Sequence, residues 1–301
     1  MKNLRFGILG LSDGNGHPYS WSAICNGYDP EHMKDCGFPV IPEYLAQQEW
    51  PASALPNVNV THVWTQDPDV SARIADASKI QNVVTSRDDM IGDVDAVLLA
   101  RDDAGSHFDL ARPFLEAGLP VYIDKPIALT SGDLERLSQA QVFQDQIFSC
   151  SALVNADELK LTEDQMVSIG DIKYVDACIP KYWATYAVHI IEPVLALLDG
   201  KKRNLKAQPV TFTNAGLRSL TCIAEDSTVV RFTTLGDDVV GGLTIRVFGS
   251  EGHLELSFKD TFSAFRKTLS EFASVVRGGS NTKTVEYNAP IVGLIEAGMT
   301  K

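Results

Sequence analysis

Leu4-Arg5-Phe6-Gly7-Ile8-Leu9-Gly10-Leu11-Ser12-Asp13-Gly14-Asn15-Gly16-His17-Pro18 stands at the start of the chain, and its reading decides the fold. Leu4 to Leu9 is a short apolar run of the kind that forms a buried strand. It empties into a glycine-rich turn, and the turn leads into the helix-like Tyr19 to Asn26. A strand, a glycine turn and a helix in that order suit a pyrophosphate, because helix N-terminal N–H groups can grip it only where no Cβ blocks the backbone. The spacing Gly10-x-x-x-Gly14-x-Gly16 is longer than the usual G-x-G-x-x-G, and a glycine turn without any ligand fits the same residues. On the dinucleotide reading, Gly10, Ser12, Gly14, Asn15, Gly16 and His17 surround the cofactor.

Outward from this turn the first half keeps one grammar. Arg5–Leu9, Val58–Trp64, Ala96–Ala100, Val121–Ile123 and Ile147–Cys150 read as buried strands, and Val70–Ser78, Ser106–Ala117 and Ser131–Ala140 between them read as helices. Such alternation specifies a parallel sheet covered on both faces, hence a Rossmann-like doubly wound domain over residues 1–150. After about residue 150 the grammar changes. A helical segment, Tyr186–Leu198, is followed by Val210–Asn214, Ser219–Ala224, Thr228–Thr234, Leu243–Phe248 and His253–Phe258, strand-like runs with no helix between them, and then by the helix-like Thr261–Val276. That order predicts an α+β domain with a largely antiparallel open sheet over residues 151–301.

Composition narrows the possible partners. The chain has 301 residues, 45% hydrophobic, with 39 acidic against 26 basic side chains and a net charge of −13. Nucleic acid and anionic membranes select clustered cations, so neither is an expected partner. No apolar run is long enough for a membrane span, and no secretory leader precedes the first strand, so a cytoplasmic location is expected. The five cysteines form no CxxC, which predicts neither a disulfide framework nor a metal site. Tyr28 to Asn57 carries five of the fourteen prolines, too many for a long helix or a central strand. It reads as an inserted excursion, either functional or a surface or oligomer contact.

At the end of the second strand a dinucleotide site usually has an acid that accepts bonds from the adenosine ribose. Thr65 stands there instead, and no arginine follows it to attract a 2′-phosphate, so NAD and NADP both remain open. Asp67, before Pro68, reads as a helix cap.

Further along, Asp95-Ala96-Val97-Leu98-Leu99-Ala100 leads to His107, and Phe114-Leu115-Glu116-Ala117-Gly118-Leu119-Pro120-Val121-Tyr122-Ile123 leads to Asp124-Lys125-Pro126. With the Rossmann-like start, this resembles the glucose–fructose oxidoreductase and inositol dehydrogenase family, Gfo/Idh/MocA, whose signature is a strand, an N-x-x-H-like turn, a helix and E-K-P. The likeness continues through Gly170-Asp171-Ile172, the segment containing His189, Val247-Phe248-Gly249-Ser250-Glu251-Gly252, Glu271-Phe272-Ala273, Arg277-Gly278-Gly279 and Leu294-Ile295-Glu296-Ala297. The resemblance places Lys125 beside the nicotinamide and the substrate hydroxyl, where an ammonium could steady a developing alkoxide. Asp124 and Pro126 flank it at the cofactor. His107 takes the family's histidine position, as a support of the cofactor pocket or a core or capping histidine. Arg101 either reaches a cofactor phosphate or pairs with Asp102 or Asp103.

The second signature is Lys181-Tyr182-Trp183-Ala184-Thr185-Tyr186-Ala187-Val188-His189-Ile190-Ile191-Glu192, where the family shows D-x-G-x-H-x-x-D. In one helix, Thr185, His189 and Glu192 would share a face. His189 matches the family's acid/base histidine, and an imidazole titrates near neutrality. The departure is Thr185 in place of the acid. Lys181, Thr185 and Tyr186 are substrate-binding candidates, Trp183 is assigned to packing and Glu192 to a structural role.

Together the resemblance implies an NAD- or NADP-dependent oxidoreductase acting on a sugar, sugar derivative or cyclic polyol, with Lys125 and His189 catalytic, no metal, and a homodimer or homotetramer as the assembly. Two other classes fit the same residues: a non-catalytic dinucleotide-binding regulator, and an enzyme that oxidises transiently to assist elimination or glycoside cleavage while recycling its NAD.

Overall fold

The computed structural model describes residues 2–198, 204–208, 211–212 and 216–300. In chain order the elements begin with β1 (Leu4–Gly10), α1 (His17–Asn26), α2 (Pro30–Met33), α3 (Val40–Ala46), β2 (Val58–Thr65), α4 (Pro68–Ser78), β3 (Asn82–Val83), β4 (Ala96–Leu99), α5 (His107–Glu116), β5 (Val121–Ile123), α6 (Ser131–Gln139) and β6 (Ile147–Phe148). There follow α7 (Glu163–Ile169), β7 (Ile172–Ile179), α8 (Trp183–Tyr186), α9 (Val188–Leu197), β8 (Lys206–Ala207), β9 (Thr211–Phe212), β10 (Arg218–Ile223), β11 (Val229–Thr234), β12 (Thr244–Gly249), β13 (His253–Ser257), α10 (Thr261–Val276) and α11 (Val285–Met299).

The chain forms two compact units, and neither is one continuous piece. The first holds residues 1–128, 132–149 and 265–286; the second holds 129–131, 150–264 and 287–301. Most of α10 therefore groups with the first unit.

In the first unit the six strands run in the order β3-β2-β1-β4-β5-β6, every pairing parallel. This is a doubly wound sheet whose order reverses between β1 and β4, the place where such sheets bind ligands at their carboxyl ends. β4 and β5 are buried along their whole length, as expected of strands covered on both faces. Phe272 of α10 lies 5.4 Å from Phe6, 5.6 Å from Tyr122 and 5.5 Å from Phe148, ring centre to ring centre, so a C-terminal helix completes the core of this unit.

The proline-rich stretch folds into α2 and α3 within the first unit. Asp29 caps α2 by accepting the Glu31 and His32 N–H groups. Tyr44 donates to Ser20 Oγ of α1, and Trp50 Nε1 donates to the Leu45 carbonyl. The excursion is thus fastened to the helix that follows the glycine turn.

The second unit's sheet runs β13-β12-β7-β11-β10-β8, with β9 on β10. Its pairings are antiparallel except β7 with β11, which run parallel. β11 alternates buried and open positions, the mark of a sheet with one face on a core. Of the expected strand at 210–214, only Thr211 and Phe212 are among the described residues. The 3.6-residue periodicity expected across Tyr186–Leu198 is interrupted, since α8 and α9 meet at Ala187.

Candidate functional site

Four connections meet at the carboxyl edge of the first unit's sheet: the glycine turn after β1, Gln66 after β2, the 101–103 segment after β4 and Asp124-Lys125 after β5. Hydrogen bonds tie all four together. Asn15 Nδ2 donates to Asp124 Oδ2 at 2.8 Å, and His17 Nδ1 lies 2.5 Å from the same oxygen. The other carboxylate oxygen accepts the Lys125 N–H at 2.7 Å. Asp124 is 0% exposed. Burial alone would push its carboxyl up, but the His17 ring, the Lys125 charge and the Asn15 amide together hold it below the usual carboxylate range.

Lys125 is 5% exposed and its Nζ lies 3.4 Å from Asp102 Oδ2. Asp102 in turn accepts from Ser12 Oγ at 2.7 Å, while Ser12 Oγ accepts the Asp102 N–H. Ser12 is therefore the link between the glycine turn and the lysine's carboxylate. Pro126 follows through a cis peptide. His107, fully buried, is a brace: Nδ1 lies 2.9 Å from the Ile127 carbonyl and Nε2 lies 2.7 Å from the Arg101 carbonyl.

Arg101 has its donors distributed. Nε and Nη2 grip Asp103 at 2.8 Å each, and Nη1 reaches both the Leu11 carbonyl and Gln66 Oε1. Asp103 is lowered in consequence: burial raises it, and the Arg101 guanidinium outweighs that. Of the two roles open to Arg101, the pair with Asp103 is present. Thr65 is buried, and its hydroxyl lies 2.5 Å from the Asp67 carbonyl and 2.9 Å from Ser71 Oγ. The group beside it at the strand end is Gln66, whose amide donates to the Leu11 carbonyl at 2.7 Å. Sequence reasoning passed over Gln66 because a glutamine after a strand carries no spacing signal.

The three glycines do different jobs. A Cβ on Gly10 would lie 2.3 Å from Pro18 Cγ, and one on Gly16 would lie 2.7 Å from Phe38 Cγ and 2.6 Å from Ile41 Cδ1, so both are demanded by packing. Gly14 has φ +75° and open space where a Cβ would stand. At the start of α1, the His17 N–H is taken by Asn15 Oδ1 and Pro18 has none. The N–H groups of the exposed Asp13 and Gly14 make no hydrogen bond among the described residues. Asp13-Gly14 is thus the part of the turn that could hold a dinucleotide phosphate. The fit runs through the turn rather than through the helix's own first N–H groups.

In the second unit, His189 lies in the first turn of α9. Its Nδ1 is 2.7 Å from Ser151 Oγ, and Ser151 also accepts the Leu153 N–H. The Ser151 N–H donates to Glu192 Oε2 at 2.6 Å, and Tyr287 Oη donates to Glu192 Oε1 at 2.8 Å. Ser151 and Glu192 are both 0% exposed. The Thr185 hydroxyl, by contrast, points back to the Tyr182 carbonyl at 3.5 Å, and Tyr186 packs edge-on to the His189 ring. Lys181, with φ +75°, pairs with Asp237 at 3.1 Å, which raises the lysine, while the Tyr182 hydroxyl first and then Lys181 lower the aspartate. Trp183 donates Nε1 to the Ile295 carbonyl inside the unit. Ser151 was not legible as a partner of His189, since 38 residues separate the two.

Among the described residues there is no cluster of metal-binding side chains, and no helix is long and apolar enough to cross a membrane. The site and sheet define a dinucleotide-fold protein with a second sheet-bearing unit. Residues 42–152 match the model of the Gfo/Idh/MocA family, the oxidoreductase family with the NAD-binding Rossmann fold. No curated protein matches the chain. Solved structures share the fold across both units. GenD2 from gentamicin A biosynthesis, determined in complex with NAD, is 17% identical with a TM-score of 0.72, over 99% of this chain and 93% of its own. The apo scyllo-inositol dehydrogenase of Lactobacillus casei is 15% identical with a TM-score of 0.68, over 98% and 96%. The myo-inositol 2-dehydrogenase of Lactobacillus plantarum is 14% identical with a TM-score of 0.71, over 98% and 96%.

Proposed function

We propose that the protein is an NAD-dependent oxidoreductase that moves a hydride between the nicotinamide and a hydroxyl-bearing carbon of a sugar, sugar derivative or cyclic polyol. The observation that carries this reading is Lys125: a nearly buried ammonium at the exit of β5, on the carboxyl edge beside the reversal of strand order, held by Asp102 and anchored through Asp124. A lysine kept there at the cost of burying its charge has a task beyond solubility. The scyllo- and myo-inositol dehydrogenase neighbours support a polyol as the substrate class. NAD in preference to NADP is supported by Arg101, whose charge is already met by Asp103. When bound, the nicotinamide supplies the carbon that accepts or returns the hydride. Lys125 holds the reacting oxygen and exchanges its proton, Asp13-Gly14 and Arg101 serve the phosphate end, and His189 is the second catalytic candidate.

The test is absorbance at the NADH band with a panel of cyclic polyols, free sugars and sugar derivatives. Net NADH formation is expected, and Lys125→Ala is expected to reduce turnover by about 100-fold or more while NAD still binds. Near-normal turnover in that variant overturns the reading. Product without net NADH points to the recycling chemistry, and NAD binding with no product to a regulator.

A further inference from the structure

A doubly wound dinucleotide site ordinarily chooses between NAD and NADP at the end of its second strand, where an acid accepts the ribose 2′-hydroxyl and repels a 2′-phosphate. Here that strand end carries no charge. The Thr65 hydroxyl is engaged with the Asp67 carbonyl and Ser71, and Gln66 beside it is neutral. A charge does reach the place, but from the strand on the far side of β1. Arg101 follows β4, and its Nη1 stands 2.9 Å from the Leu11 carbonyl and 2.8 Å from Gln66 Oε1. A guanidinium beside the β2 end is what a 2′-phosphate would select, because its fork matches a phosphate with two parallel hydrogen bonds.

That fork is already closed. Of the five N–H donors of a guanidinium, Nε and Nη2 give one each to the two Asp103 oxygens at 2.8 Å, and Nη1 serves both Leu11 and Gln66. The one N–H left over cannot make a fork. Asp103 also keeps its charge at neutral pH, since burial raises its carboxyl but the Arg101 guanidinium outweighs burial. A second phosphate brought to this edge would meet a carboxylate within the span of one guanidinium, and like charges at that distance repel. We propose that Asp103 is the specificity-determining residue of the dinucleotide site: by occupying the Arg101 fork it excludes the 2′-phosphate of NADP, so that a carboxylate after β4 does the work of the acid missing after β2. The ribose falls to Gln66, whose amide nitrogen has a second hydrogen beyond the one it gives the Leu11 carbonyl at 2.7 Å. Leu11, Gln66, Arg101 and Asp103 all belong to the first unit. The inference rests on the dinucleotide-binding part of the proposed function and not on the hydride chemistry.

The experiment titrates the whole chain with NADH and with NADPH, followed by nicotinamide fluorescence, in the wild type, Asp103→Asn, Asp103→Ser, Arg101→Ala and the double variant Asp103→Asn/Arg101→Ala. The wild type is expected to favour NADH. Asp103→Asn keeps the size and removes the charge, and the NADPH-to-NADH affinity ratio should rise about tenfold, the effect of one freed charge-assisted contact. Arg101→Ala alone should push the ratio further toward NADH, and in the double variant the gain should vanish. The gain should also shrink at high salt. An unchanged ratio in both Asp103 variants, with NADH still bound, overturns the role of Asp103 and leaves the dinucleotide reading in place, as does equal binding of the two nucleotides by the wild type. A gain that survives Arg101→Ala overturns the closed fork as its cause. Loss of NADH binding in both Asp103 variants overturns the proposal as well, because the carboxylate then holds the corner together and does not select. A wild type that binds neither nucleotide overturns the dinucleotide reading and this inference with it.

Discussion

The carboxylate of Asp124 and the ring of His17 meet at 2.5 Å in the interior of the first unit, although 107 residues separate them. One comes from the end of β5, the other from the first turn of α1, so this contact and the Asn15 amide on the same oxygen pin the glycine turn to the strand that presents Lys125. The ring is further held by stacking on Trp21 at 4.9 Å and by the edge of Phe265 at 5.0 Å. Asp124→Asn is expected to cost about 3 kcal/mol of stability, since His17 and Lys125 lose a buried counter-charge. Urea denaturation of the two proteins measures it.

The same pair sets a pH dependence. The Asp124 carboxyl is lowered in the folded state, burial opposing and the His17 and Lys125 charges prevailing. The unfolded chain therefore takes up that proton first as pH falls, so the contribution is whole above the ordinary carboxylate range near ~4 and is lost as pH drops through the folded value. Stability measured by denaturation should fall more steeply below about pH 4 in the wild type than in Asp124→Asn.

Gly16 is expected to tolerate no side chain while Phe38 is present. Gly16→Ala would drive a methyl against Phe38 and Ile41, at a cost of about 1–3 kcal/mol. In the double variant with Phe38→Ala the two losses should not add, because the smaller residue frees the space the methyl needs. Thermal unfolding of the four proteins closes the cycle, and strict additivity would show that the contact does not exist.

Arg101→Ala is expected to raise the KM for NAD about tenfold and to leave the KM for the polyol nearly unchanged. The substitution removes two clamps on the Leu11–Gln66 corner and leaves Asp103 without its counter-charge. Steady-state kinetics with each substrate varied in turn separates the two constants.

Cys25 and Cys222 should resist alkylation in the native protein. Both are buried, and burial pushes both thiols up to about 12, so little thiolate forms near neutrality. Mass spectrometry after iodoacetamide treatment, with and without denaturant, reads the difference.

Much of the first unit is legible from residue order. The apolar runs at Leu4, Val58, Ala96 and Val121 each become strands, and the helices between them begin and end within two or three residues of their hydrophobic patterns, because a strand buried on both faces has almost no other composition to choose. The second unit is less legible. β7 lies at the centre of its sheet yet reads Ile172-Lys173-Tyr174-Val175-Asp176-Ala177-Cys178-Ile179, with Asp176 buried against Arg231 at 2.8 Å, a polar position that only its pairing partner explains.

Local order alone determined the parallel sheet, the glycine turn and the lysine at the exit of β5, since these depend on periodicity and on residues a few positions apart. Tertiary structure alone decided what each polar group touches. Gly16 is a glycine because of Phe38, the Thr65 hydroxyl is used by its own strand end, Arg101 is held by Asp103, and His189 Nδ1 meets Ser151. Hydrogen bonds reach barely 3 Å and carry no trace in the spacing of the residues that make them, so only folding brings donor and acceptor within their range.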